Sequence, residues 1–291
     1  FLSIMLIAAT LVVFDQLNFR RSGDLGYKTN QTLVIKLPAM FDSTSQSKLK
    51  YFKHEALRIP PVLNATYTSE VPGRYISLHN TIRKSSQDKQ NTFGTYIMSI
   101  DQDFLNTYHI PLAEGNDFSV ADSSGIYFKF LPGLHGQDGR LKVLINEALA
   151  KGLGFKSAKE AVKQKVVLSL DGAEFLLSIK GVAKNFHQRS LKETYDPILF
   201  LYPNYSDQSG NYVSVSVNTA DINKNLSGIE ALFKKTFPGK PFESFFLDDY
   251  FNNQYQGDQR LGNVFGLFAS LAIVVACLGL IGLSAFVIKL R

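Results

Sequence analysis

The chain has 291 residues, a net charge of +6 at neutral pH, 23 phenylalanines and 13 tyrosines, so we expect a packed core. Its lysines and arginines are scattered without a dense basic run, which favours an ordinary solvated surface and no nucleic-acid partner. The single cysteine, Cys277, excludes an intramolecular disulfide.

The chain opens with an apolar segment. Residues 1–14 carry no charge but are too few to span a bilayer. No basic stretch precedes them and no small-residue cleavage site follows, so they do not have the pattern of a signal peptide. We interpret residues 1–22 as the remaining part of a first transmembrane helix and its stalk.

The first half of the central region combines strands with helices. Alternating apolar residues predict four strands, at residues 32–37, 62–69, 75–82 and 92–100. A turn at 71–73 joins the second strand to the third. Helical spacing predicts a helix at 43–58, where Leu49 and Phe52 share one face, and a helical turn at 103–108.

The second half continues in the same way after a loop-rich stretch at 115–139. Further strands are predicted at residues 142–145, 164–170, 174–182, 198–202, 212–217 and 242–246. Asp171 and Gly172 form a two-residue hairpin signal between two of these strands. Asn146 is predicted to start a short helix and Asp221 to cap a longer one.

The order strand–helix–strand at both ends of the central region predicts an α+β fold. We expect a mixed sheet backed by helices, with an inserted second subdomain and two flanking transmembrane helices extended as stalks. The central domain is assigned to residues 23–247. Within it, residues 23–100 and 187–247 form one subdomain and residues 101–186 form the inserted one.

The last segment of the chain predicts a long helix. Apolar residues keep helical spacing from Leu247 to Phe265, so a helix could run unbroken from about Asp248 over roughly 60 Å. Residues 264–288 contain no charged side chain and are long enough to cross a hydrocarbon core of about 30 Å. A buried core helix is the alternative.

We therefore assign residues 248–291 to a stalk and a second transmembrane helix, with the lipid bilayer as a partner. Lys289 and Arg291 follow the apolar run directly. Basic residues at the end of a membrane helix favour a cytoplasmic location for that end, which would place the central domain outside the cytoplasm.

The residues that could carry chemistry form no recognisable set. The histidines are isolated from one another in sequence: His54, His79, His109, His135 and His187. The glycine-rich stretch at 133–139 lacks the Lys-Ser/Thr pair of a phosphate-binding loop. Asp248 and Asp249 suit the start of a helix, where the dipole favours negative charge. We predict no catalytic residue, no cofactor-binding residue and no metal ligand, and hence no enzyme.

Several segments carry a family resemblance. They include DQDFLNTYHIPLAEGNDF at 101–118, VLINEALAKGLGF at 143–155, IKGVAKNFHQRSLKE at 179–193, and the long stretch at 241–286. On these motifs the chain resembles the permease subunit of MacB/FtsX-type ABC transporters, specifically its periplasmic core domain with two flanking membrane helices. Asn116 stands where an Arg is usual in that family, and Asn185 where an Asp is usual.

The resemblance implies a mechanical role for the chain. It implies a cytoplasmic ABC ATPase subunit as partner, which binds ATP, and membrane helices that carry the resulting movement to a periplasmic domain. It also implies a second permease copy, identical or related, a periplasmic adaptor as a further candidate partner, and a location in the bacterial inner membrane. Export or extraction of a substrate would be the output. The loop aromatics at 127–130 are a candidate for substrate contact.

Two other functions remain open at this point. One is an extracytoplasmic sensor domain, which is also commonly placed between two membrane helices. The other is a scaffold that activates a periplasmic partner in response to the movement of an ATPase. A signalling domain after Arg291 would favour the sensor, whereas further membrane spans would favour the transporter or the scaffold.

Overall fold

The computed structural model describes residues 25–28, 31–38, 45–123, 141–170, 172–188, 193–202, 211–218 and 222–289. Several predicted features lie outside the described residues, namely the first transmembrane helix at 1–22, the loop aromatics at 127–130, the glycine-rich stretch at 133–139, Asp171 of the hairpin signal and the cap at Asp221. The chain divides into two compact units. One is Leu25–Asp248, and the other contains the described residues from Asp249 onward.

The described residues form six α-helices and eleven strands. The helices are Ser45–Ala56 (α1), Phe104–Tyr108 (α2), Glu147–Gly152 (α3), Ala158–Ala161 (α4), Ile222–Thr236 (α5) and Leu247–Lys289 (α6). The strands are Thr32–Lys36 (β1), Val62–Thr68 (β2), His79–Lys84 (β3), Phe93–Ser99 (β4), Leu112–Gly115 (β5), Leu141–Asn146 (β6), Lys165–Leu170 (β7), Ala173–Ala183 (β8), Ile198–Leu201 (β9), Tyr212–Val217 (β10) and Glu243–Phe246 (β11). A 3-10 turn at Val120–Ser123 follows β5.

The first sheet has four antiparallel strands in the order β11-β1-β10-β2. Successive side chains of a strand point to opposite faces, and Ile35 and Val213 lie on the face that α1 and α5 cover. Phe52 of α1 and Phe233 of α5 meet there edge to face, with ring centroids 6.0 Å apart. This face is the first hydrophobic core.

The second sheet has seven strands, and six of them close on themselves. The order is β5-β8-β6-β9-β4-β3-β7, and β7 pairs with β8 as well as with β3. The strands β8, β6, β9, β4, β3 and β7 therefore form a small barrel, which leaves no open edge among them. All six contribute apolar side chains to a second core, into which α3 adds Leu149 and Leu153. The parallel pairs β4–β9 and β6–β8 make the sheet mixed, so the predicted α+β fold with helix-backed mixed sheets is confirmed.

Two glycines allow β5 to lie close against β8. Gly115 has a φ of +84°, and a Cβ added there would lie 2.5 Å from the carbonyl oxygen of Lys180. A Cβ on Gly181 would lie 2.6 Å from the carbonyl oxygen of Asn116. No side chain fits in either place, so these positions require glycine. The two glycines come from two different resemblance motifs, which meet here.

The turn at 71–73 joins β2 to β3 as predicted, but the two strands do not pair with each other. Strand β2 pairs with β10 in the first sheet, whereas β3 pairs with β4 and β7 in the barrel. The turn instead carries the chain from one sheet to the other. The side-chain amide of Gln188 holds it, donating to the carbonyl oxygens of Val71 and Arg74 at 2.8 and 2.7 Å.

The two sheets also divide the chain at other residues than predicted. The predicted boundaries at residues 100 and 187 leave β3, β4 and β9 outside the inserted part, yet all three strands belong to the barrel. Alternation along a strand marks which residues are buried but not which strand lies beside it, so the sequence did not indicate this pairing. Two short elements, β5 and α4, were also not predicted.

The last helix, α6, is continuous over 43 residues from Leu247 to Lys289, as the helical spacing predicted. At 1.5 Å per residue it is about 65 Å long. Asp248 and Asp249 lie in its first turn. Its segment Gly266–Lys289 has a mean hydropathy of 2.8 and is the one helix among the described residues that is long and apolar enough to cross a membrane.

Candidate functional site

The described histidines lie apart from one another in the folded structure, as they do along the sequence. His54 lies beside Glu55, His79 meets Tyr96 edge to face and His187 contacts the Tyr195 ring at a tilt. His109 ends α2, whereas His135 lies outside the described residues. Within the described ranges no group of three or more His, Cys, Asp or Glu side chains is placed to hold a metal ion. The most constrained polar group of the folded domain is instead a set of contacts between its two sheets.

The end of β4, in the barrel, lies against β2, the edge strand of the first sheet. The amide of Ser69 donates to the carbonyl of Ser99, and the amide of Ser99 donates to the Ser69 hydroxyl, both at 2.9 Å. Thr68 and Ile100 then form an antiparallel bridge. The end of β4 thus runs along the outer edge of β2 and covers part of it, which joins the two sheets through backbone hydrogen bonds.

Asp101, the next residue, is fully buried. Its Oδ1 accepts hydrogen bonds from the Thr66 hydroxyl at 2.5 Å and the Asp103 amide at 3.1 Å. Its Oδ2 accepts from Lys53 Nζ at 2.5 Å and from the Tyr67 amide at 3.1 Å. Four donors around one carboxylate compensate for its loss of hydration.

Lys53 completes this group, which we call the sheet junction and define as Lys53, Thr66, Tyr67, Asp101 and Asp103. The Lys53 side chain is 11% exposed and also pairs with Asp103 Oδ2 at 2.5 Å. Its ammonium lies 5.7 Å from the centre of the Tyr67 ring. The sheet junction therefore fixes α1, β2 and the start of α2 at a single point.

Aromatic side chains fill the space beside the sheet junction. Phe104 and Tyr108 of α2 are fully buried, and the Phe104 ring lies 6.1 Å from that of Phe200 in the barrel. The Tyr108 hydroxyl donates to the Ser214 hydroxyl of β10 at 2.6 Å. Burial raises the pKa of Tyr108 well above its usual range, so the phenol stays protonated and keeps this bond. Helix α2 thereby contacts both sheets.

The start of α3 is held by two asparagines. Asn146 is the predicted cap, and its Oδ1 accepts from the Leu149 amide at 3.0 Å. Asn185 Oδ1 accepts from the Ala148 amide at 2.8 Å, while Glu147 accepts from the Asn185 amide at 3.2 Å. The side-chain oxygen of Asn185 accepts the hydrogen bond from the Ala148 backbone N–H, as a carboxylate oxygen of Asp would. Asn185 therefore keeps this contact although the family that the sequence resembles usually has Asp at this position.

Asp117 is a half-buried carboxyl close to the sheet junction. Its Oδ1 accepts from the Phe118 amide at 2.6 Å. Burial raises the pKa of Asp117 to about 6, although the amide of Phe118 and the charge of Lys180 oppose this, and Asp103 adds to the rise.

The pKa of Asp122 is shifted in the opposite direction. Burial would raise its pKa, but hydrogen bonds from Lys180, Ser119 and Lys142 hold the pKa well below its usual range.

The raised pKa of Asp117 predicts a pH-dependent stability. A carboxyl with a higher pKa in the folded state stabilises that state below about pH 4, and this contribution is lost as the pH rises through 6. We expect Asp117→Asn to raise the free energy of unfolding by about 1 kcal/mol at pH 7.5, a value kept small by solvent screening. Below about pH 4 the unfolding curves of the two proteins should coincide.

Chemical unfolding followed by circular dichroism at both pH values measures this difference. Asp88→Asn, at an exposed carboxyl, is the control and should give no pH-dependent gain. A gain from Asp117→Asn of equal size at pH 4 and pH 7.5 would contradict the prediction, because it would not come from ionisation.

Several solved structures have a fold similar to this one. One is the periplasmic region of MacB from Actinobacillus actinomycetemcomitans, at a TM-score of 0.48 and 12% identity, over 78% of this chain and 94% of that one. Another is the extracellular domain of the ABC-type transporter YknZ from Gram-positive bacteria, with a TM-score of 0.46 and 12% identity, over 73% of this chain and 97% of that one. A third is a domain assigned to a permease protein from Porphyromonas gingivalis, with a TM-score of 0.46 and 13% identity, over 74% of this chain and 89% of that one.

No family model matches the chain, and no curated protein matches it.

Proposed function

We propose that this chain is the extracytoplasmic domain of a MacB/FtsX-type permease with its membrane helices, and that it transmits movement driven by a separate ATPase. Helix α6 is the observation that carries the proposal. It runs without a break from the end of β11 to the end of the apolar segment and contains no proline. An unbroken helix is stiff, so a displacement at one end is passed to the other.

The folded domain has the internal connections that such a role needs. Residue Leu247, where α6 begins, is fully buried, and the preceding strand β11 pairs with β1 in the first sheet. The first sheet is tied to the barrel by the sheet junction, including the buried pair of Lys53 and Asp101. A displacement of β11 would therefore reach both sheets instead of being absorbed between them.

In this role the apolar segment crosses the bacterial inner membrane and the folded domain lies in the periplasm. A cytoplasmic ABC ATPase subunit binds and hydrolyses ATP, since this chain has no phosphate-binding loop in its sequence. A second permease copy completes the transporter, and a periplasmic adaptor is a further partner. The output is export or extraction of a substrate, and the chain itself has no catalytic activity.

Isolation of the full-length protein from its native membranes in mild detergent tests the proposal. We expect an ABC ATPase to be isolated with it, and the rate of ATP hydrolysis to change when the permease is removed from the complex. Isolation without an ATPase, together with a kinase or cyclase output, would support the sensor function instead. ATP hydrolysis that activates a periplasmic enzyme without moving a substrate would support the scaffold.

A further inference from the structure

An open cleft of about 970 Å³ lies beside α3 and α4 at one end of the barrel. Its walls include Phe93 of β4 and Tyr195, whose side chains remain 37% and 42% exposed. The Tyr195 ring packs against the His187 ring at an angle of 42°, with centroids 4.4 Å apart. A Cβ on Gly152 would lie 2.3 Å from the Phe93 ring, so the absence of a side chain there lets the ring lie against α3. Both aromatic walls are thus held in place and partly open to solvent.

Lysines surround this cleft. Lys151 and Lys156 line it and are exposed. Lys84 lies next to them, because its ammonium donates to the carbonyl oxygen of Gly154 at 3.0 Å and lies 4.2 Å from the centre of the Phe155 ring. Three more exposed lysines follow in α4 and the start of β7: Lys159, Lys163 and Lys165.

Little negative charge balances these lysines. Among the described residues no carboxylate lies within ion-pair distance of Lys151, Lys156, Lys159, Lys163 or Lys165. Glu147 also lines the cleft, but it is already paired with Lys184 at 2.9 Å and accepts from the Asn185 amide. Glu160 accepts from the backbone amide of Lys156 at 2.9 Å. Even when Glu147, Glu160 and the exposed Glu193 next to Thr194 are counted, the lysines here outnumber the carboxylates, so the surface around the cleft is net positive.

The shape of the cleft and the type of charge favour an acidic polypeptide over a small anion. A small ligand needs an enclosed site that buries most of its surface, whereas this cleft is open. Among the described residues that line it there is no arginine, whose planar fork suits phosphate, and exposed ammonium groups each add little. Several carboxylates spaced along a polypeptide can interact with all of these lysines at once, and an apolar side chain of the same polypeptide can pack against Phe93 and Tyr195.

We propose that this cleft binds an acidic segment of a partner protein, which places an aromatic or aliphatic side chain between Phe93 and Tyr195. The lysines attract the segment and speed its association, and the aromatic walls hold it in register. This proposal depends on the proposed function in one respect only, namely that the partner protein is in the periplasm. Peptide binding and association with an ATPase are measured separately, so either can fail alone.

Fluorescence anisotropy on the full chain in phosphatidylcholine nanodiscs tests the proposal. The probe is a fluorescein-labelled peptide in which glutamates flank two phenylalanines. We expect the triple variant Lys151→Gln, Lys156→Gln, Lys159→Gln to bind it about tenfold more weakly, and added salt to weaken the wild type more than the variant. The matched control is Lys234→Gln, Lys235→Gln, Lys240→Gln on and after α5, which removes the same charge and should leave the affinity unchanged.

A second comparison tests the aromatic walls. We expect Tyr195→Ala to lower the affinity for the phenylalanine-containing peptide about fivefold and to leave the weaker binding of an all-glutamate peptide unchanged. Circular dichroism checks that each variant is folded.

Two results would overturn the proposal. Equal loss of affinity in the cleft triple variant and in the α5 control would show attraction by overall charge alone. Displacement of the peptide by phosphatidylglycerol vesicles, with vesicle binding that depends on the three cleft lysines, would assign the surface to a membrane.

Discussion

Replacement of Asp101 by alanine should lower the free energy of unfolding of the folded domain by about 3–5 kcal/mol. The carboxylate is fully buried and accepts from Lys53, the Thr66 hydroxyl and the amides of Tyr67 and Asp103. Its removal leaves two buried amides and a hydroxyl without an acceptor, and leaves the Lys53 ammonium with only Asp103. The loss should appear as a lower unfolding midpoint of the full chain in detergent micelles.

Hydrogen exchange localises the effect. In Asp101→Ala the amides of β2 and of residues 99–103 should exchange faster than in the wild type, because these segments meet at the sheet junction. Asp101→Asn keeps one carbonyl oxygen for the donors but removes the charge opposite Lys53, so its loss should be intermediate.

The control for this prediction is another pair of a lysine and a carboxylate, which lies on two neighbouring strands of the first sheet. Lys36 and Glu243 lie 3.1 Å apart, with both side chains 57% exposed. Because exposed pairs contribute about 0–1 kcal/mol, Glu243→Gln should change the unfolding free energy by no more than that. A loss in Asp101→Ala that is no larger than in Glu243→Gln would contradict the role of the sheet junction.

Elements with a local cause were predictable from the sequence. Asn146 was identified as a helix start, and its side chain accepts from the Leu149 amide. The signal lies within a few residues, since a cap needs only a short polar side chain before a helical stretch. Helix α6 was equally predictable, because the spacing of its apolar residues persists up to the apolar segment.

Features that depend on residues distant in sequence were not predictable. Strand β3 pairs with β7, so Ile82 lies opposite Leu168, and nothing near residue 82 indicates that partner. The closed barrel and the corrected boundaries both follow from this pairing. Burial of Asp101 is a further example, since the charged residue follows a strand and its donors Lys53 and Thr66 lie far earlier in the chain.

The cluster of lysines around the cleft was likewise not predictable from the sequence. Along the sequence they are separated by other residues, including Glu160, which suggested a scattered distribution and an ordinary surface. Because α3, α4 and the start of β7 lie at one end of the barrel, these lysines come together with Lys84, which belongs to β3. The positive surface therefore depends on the fold rather than on a basic run.

On the proposed function, replacement of Gln259 in α6 by proline should uncouple the folded domain from the ATPase. We expect Gln259→Pro to remove one backbone donor and to clash with the carbonyl four residues earlier, which costs an exposed helix about 3 kcal/mol or more and kinks it. Residues Leu25–Asp248 form a separate compact unit, so their unfolding midpoint should not change. ATP binding by the partner subunit should not change either, because this chain is proposed not to contact ATP.

The measurement compares hydrogen exchange in the folded domain with and without ATP, using the complex of the full-length permease and its ATPase. In the wild type, ATP should change exchange in β11 and β1, since α6 begins directly after β11 and β11 pairs with β1. In Gln259→Pro this ATP-dependent change should be lost. Gln259→Ala, which places a better helix former at the same position, is the control and should retain it. An ATP response in Gln259→Pro as large as in the wild type would contradict transmission through α6, because no unbroken helix would then connect the membrane segment to the folded domain.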